Sequence, residues 1–73
     1  MARKNVISEI AGRVWKIEVK LGDRVAAEDP LIILESMKME IPVVAPVGGT
    51  VVAIGVGPED LVEEGAVVAA IET

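Results

Sequence analysis

A chain of 73 residues with a net charge of -5, no cysteine and no histidine has room for one domain, spanning 1–73, and little for catalytic machinery. The acidic balance opposes nucleic acid as a partner, because such binding depends on neutralising phosphates. No apolar run approaches the roughly 20 residues of a membrane span, and residues 1–10, with Arg3, Lys4 and Glu9, hold no apolar export core.

A chain this short buries only about 60% of its unfolded surface. Without disulfides, its stability must come from a dense aliphatic core. Apolar residues make up 52% of the sequence, with Trp15 the sole aromatic. The absence of cysteine suits a cytoplasmic setting, the expected location. All basic residues lie at or before Lys38, whereas Glu40, Glu59, Asp60, Glu63, Glu64 and Glu72 follow it. Those acids read most simply as a solvated surface.

In chain order, Asn5 to Ile10 reads as a short β-branched strand, and Gly12 punctuates it. From Val14 to Lys20, Trp15, Ile17 and Val19 alternate with Lys16, Glu18 and Lys20. That period of two predicts a strand with one buried face, placing Trp15 in the core. Gly22-Asp23 is a turn, Val25-Ala26-Ala27 a short apolar piece, and Glu28-Asp29-Pro30 a second turn. Leu31 to Leu34 and Ile41 to Ala45 are apolar strands, the latter ended by Pro46 and Gly48-Gly49. Val51 to Val56 is another. A turn over Gly57-Pro58-Glu59-Asp60, the short Leu61-Val62 and a last strand from Ala66 to Ile71 complete the chain.

The second half repeats the first without a gap at a shift of 37 residues. Gly12 falls on Gly49, Val14 on Val51, Ile17 on Ile54, Val19 on Val56, Asp23 on Asp60 and Val25 on Val62. The opening strand joins in, with Val6 on Val43 and Ile7 on Val44. Neither half can bury its own apolar face, so each must cover the other in a quasi-two-fold sandwich. The repeat also decides against a helix over Leu31 to Ile41, despite the good helix formers there. Its counterpart, Val67 to Ile71 with the chain end, is too short and Val-rich. A tight turn is therefore expected at Met37-Lys38, linking two antiparallel strands at the junction of the halves. The turn has no Gly, Asn, Asp or Pro at its tip, and a turn that ignores local preference marks a functional site. Symmetry makes the chain termini the mates of this turn, so they are expected together at the opposite end.

Glu35-Ser36-Met37-Lys38-Met39-Glu40, at the centre of this repeat, resembles the acceptor motif of biotinyl/lipoyl attachment domains. The resemblance spans nearly the whole chain. It implies an all-β fold: a flattened barrel-sandwich hybrid of two four-stranded antiparallel sheets. It implies that Lys38 carries biotin in amide linkage. Met37 and Met39 match the flanking methionines and would form a soft surface for ligase and carboxylase recognition. The implied partners are a biotin protein ligase, which supplies activated biotin, and the biotin carboxylase and carboxyltransferase between which a carboxyl group is shuttled. The chain would be a monomer by itself.

The residues agree with a carrier and not a catalyst. An unactivated lysine amine is protonated near neutral pH. Ser8, Ser36, Thr50 and Thr73 have no imidazole to activate them. Some positions depart from the family pattern. Ser36 stands where biotin domains commonly have Ala, and Glu28 and Glu59 stand where glycine is usual. The Asp-Lys-Ala tip of lipoyl domains is absent, as is any insertion forming a protruding thumb. Biotin is thus expected ahead of lipoate, and an unmodified scaffold or adaptor module is the reading from a different class.

Overall fold

The computed structural model describes residues 2–73. Eight strands follow one another: β1 (Arg3–Ile7), β2 (Gly12–Ile17), β3 (Arg24–Val25), β4 (Pro30–Ser36), β5 (Met39–Val44), β6 (Gly49–Ile54), β7 (Leu61–Val62) and β8 (Val67–Glu72). They form two four-stranded antiparallel sheets, ordered β1-β8-β6-β3 and β5-β4-β2-β7. There is no helix among the described residues, so the apolar run before Lys38 is strand, as the repeat requires.

The two halves match bond for bond. Gly22 N–H donates to the Val51 carbonyl at 2.8 Å, and 37 residues on, Glu59 N–H donates to Val14 at 2.9 Å. Glu28 N–H donates to Ala45 at 2.7 Å, and its mate Gly65 donates to Ser8 at 2.8 Å. The core follows the same pairing. Val6 and Val43, Val14 and Val51, Leu31 and Val68, and Leu34 and Ile71 are all buried. Each sheet contributes one member of every pair, so each half supplies the other's apolar cover.

Trp15 corrects the sequence reading. The β2–β4 register shifts between Val14 and Lys16, leaving Trp15 without a partner. A bulge of this kind breaks alternation. Val14 takes the inward place with no exposure, and Trp15 is 49% exposed. Ile17 and Val19 stay half-buried. The mate of the bulge lies at Val52, skipped between Val51 and Ala53. The first strand also ends sooner than expected, at Ile7 rather than Ile10. Ser8 is fully buried, and its hydroxyl donates to the Ile10 carbonyl at 2.6 Å, turning the chain out of the ladder.

The turns explain the missing glycines. Gly22 and Gly65 have φ of 91° and 89°, and their repeat mates Glu59 and Glu28 have φ of 72° and 73°. Each half thus needs two left-handed residues and has glycine at only one of them. The left-handed region costs an L side chain about 1–2 kcal/mol, part of which glycine's greater unfolded freedom offsets. Glu28→Gly and Glu59→Gly are therefore each expected to raise stability by up to about 1 kcal/mol. Urea midpoints at unchanged m-value measure this. A fall in either midpoint would contradict it.

Candidate functional site

The expected turn is present. Ser36 pairs with Met39 across the β4–β5 hairpin, leaving Met37 and Lys38 as a two-residue tip. Their φ angles are 51° and 64°, both left-handed. Two-residue hairpins favour this geometry because it matches strand twist, and Asn-Gly normally supplies it. Met-Lys has no such ease, so the tip holds a locally disfavoured conformation imposed by its strands.

Three contacts impose it. Leu34, two residues before Ser36, is fully buried and fixes β4 in the core. Gly12 of β2 lies under the next residue: a Cβ there would stand 3.0 Å from the Glu35 carbonyl oxygen. Arg13 then donates from its guanidinium to Glu35 Oε1, while Glu59 Oε1 lies 3.9 Å away. The hydrogen bond to Glu35, then the nearby Glu59 charge, hold the Arg13 proton above its ordinary range. The pair is half-exposed, so it orients β4 more than it stabilises the fold. Sequence reasoning passed over Arg13, whose partner lies 22 residues away and is identified only by register.

The three motif residues are brought together and turned outward. Met37 is 92% exposed and Met39 62%, with Lys38 exposed between them. Neither methionine belongs to the core. Glu40 is also exposed, opposite Glu35. Asp60, by contrast, accepts a hydrogen bond from Gly57 N–H at 2.7 Å and so serves its own turn.

At the seam, Thr73 N–H donates to the Ala2 carbonyl at 2.9 Å, the repeat mate of the Ser36–Met39 pairing. From there β1 runs through Ser8 to Gly12, which lies beside Glu35. The tip and the chain ends thus occupy opposite ends of the 37 Å long axis. Chemically, the site offers one exposed primary amine on a left-handed two-residue turn, flanked by two polarisable thioethers.

Residues 5–71 match the family model described as "Biotin-requiring enzyme". The "Biotinylated protein TB7.3 homolog" of Mycobacterium leprae is 41% identical over 68 residues, covering 93% of this chain and 96% of that protein. The urea amidolyase of Saccharomyces cerevisiae is 43% identical over 68 residues, but the chain spans only 4% of it. The crystal structure of Kluyveromyces lactis urea carboxylase superposes with a TM-score of 0.93 at 40% identity, covering 99% of this chain and 6% of that one. With nearly its whole length matched in sequence and in fold, the chain belongs to the biotin/lipoyl attachment family.

Proposed function

We propose that the chain is a covalent biotin carrier, with biotin in amide linkage on Lys38, serving as substrate and subunit of a biotin-dependent carboxylase system. The observation that carries this is the Met37-Lys38 tip: an exposed amine on a left-handed two-residue turn, at the junction of two repeats. A biotin protein ligase would present biotinyl-adenylate. The amine attacks the acyl carbonyl, the amide C–N bond forms, AMP leaves and the amine loses a proton. The protein contributes position and the cofactor contributes the chemistry of carboxyl transfer. Lysine and the biotin chain together make an arm on the order of 14 Å, long enough to serve a biotin carboxylase and a carboxyltransferase in turn. The likeness to a urea carboxylase supports partners of that class. The 73 residues act as a single monomeric domain in the cytoplasm, and Met37 and Met39 are surfaces for ligase and carboxylase.

The test is intact mass after incubation with a biotin ligase, ATP and biotin. One biotinyl group is expected on the wild-type chain and none on Lys38→Arg, which keeps the charge. Label persisting in Lys38→Arg would overturn the assignment. A lipoyl mass in protein isolated from its own cells would replace biotin with lipoate.

A further inference from the structure

A groove of about 220 Å³ lies beside the hairpin, lined by Glu9, Ile10 and the β5 residues Ile41, Pro42, Val43 and Val44. β5 is an edge strand. Its bonded pairs with β4 alternate, starting from the turn-closing pair Ser36–Met39, through Leu34–Ile41 to Ile32–Val43. Ala45 keeps its own groups on the β4 side, donating to the Asp29 carbonyl at 2.9 Å. The intervening residues Glu40, Pro42 and Val44 therefore turn their backbone groups outward. The groove thus has an apolar wall, a free acceptor at the Pro42 carbonyl, a free donor at Val44 N–H, and the exposed Glu9 carboxylate at its rim.

Resting on the carrier reading above, we infer that this groove is a resting place for the bicyclic ring of the chain's own biotinyl-Lys38. Reach is the first argument. Pro42 is four residues from Lys38, about 13 Å along a strand, and the arm is on the order of 14 Å. The ring therefore ends beside Ile41–Val44 when the arm lies back along β5. Chemistry is the second. The ring pairs an apolar thioether half with a ureido group carrying two N–H donors and one carbonyl. That set complements the Pro42 carbonyl, the Glu9 carboxylate and Val44 N–H, with Ile10 and Ile41 under the thioether. The third is what the edge refuses. Pro42 lacks the N–H that an added peptide strand would need, and Glu40 is charged, so β5 is guarded against strand pairing. A small ligand needing one acceptor and one donor meets no such obstacle.

The experiment compares amide spectra of the ¹⁵N-labelled protein before and after ligase-catalysed biotinylation, with intact mass as its first readout. If no biotinyl group is added, the carrier reading itself fails. If biotin is added, shifts at Glu9, Ile10, Val43 and Val44 are expected, with through-space contacts from ring protons to the Ile10 and Ile41 methyls. Changes confined to residues 36–40 would overturn the resting place. Val44→Pro removes the N–H that meets the ureido carbonyl, at an exposed edge position that gives no bond to β4, and should remove the distant shifts while leaving biotinylation intact. With about half of the arms docked, that variant should be captured by streptavidin about twofold faster. An unchanged capture rate in a folded, fully biotinylated variant would count against docking.

Discussion

Exchanging the two tip residues, Met37→Lys with Lys38→Met, is expected to all but abolish biotinylation without unfolding the protein. Composition is conserved, both positions are exposed and both already hold left-handed φ. Stability should therefore change by no more than about 0.5 kcal/mol. What changes is placement: the amine moves from the second to the first residue of the tip and so leaves the turn from a different point and at a different angle. A ligase that reads a presented amine and not a local string will find it misplaced. Thermal midpoints measured beside initial rates of biotin incorporation separate the two effects. Equal labelling of the shifted lysine in a folded protein would show that the turn's geometry is not what the ligase reads.

The largest loss of stability is expected from a glycine remote from the lysine. A Cβ on Gly49 would lie 2.4 Å from the Glu72 carbonyl oxygen and 2.7 Å from Ile71 Cγ2. No side-chain movement relieves a clash with backbone, so β6 must part from β8. Gly49→Ala should cost about 3 kcal/mol or more, much of what a domain this small has in hand. Each kcal/mol lowers the melting midpoint of such a domain by about 4–8 °C, so a fall of more than about 12 °C is expected. Its repeat mate Gly12 has more room, 3.0 Å to Glu35 O and 3.3 Å to Leu34 Cβ. Gly12→Ala should therefore be milder, about 1 kcal/mol. The reverse order of melting points would show that the two sites relax differently from their geometry.

The tip is legible in the sequence because two independent patterns converge on it. Val6 on Val43 and Val14 on Val51 declare two halves, and Met37-Lys38 falls at their junction. The core pairs were legible for the same reason. Trp15 was not. A bulge has no local signature here: Ile17 and Val19 keep the inward side that the alternation gives them, and only Trp15, skipped between Val14 and Lys16, leaves it. The left-handed Glu28 and Glu59 were half-legible: their mates are glycines, but glutamate itself gives no sign of positive φ. The Arg13–Glu35 pair and the groove at Ile10 and Ile41 depend on register between distant segments, which composition and spacing do not encode.

The bond between Ala2 and Thr73 sets these two residues side by side at one end of the molecule. Wherever the chain is joined to a larger host, both connections leave from the same seam, about one strand spacing (roughly 4.8 Å) apart. A body joined in this way is free to turn about that seam as a unit wherever its linkers allow. Its long axis is 37 Å, and the arm adds on the order of 14 Å, giving a working radius of roughly 50 Å. Most of that travel belongs to the body and not to the arm. On the carrier reading, two catalytic centres much farther apart than the arm's own length could then share one biotin, provided the linkers at the seam are free to turn.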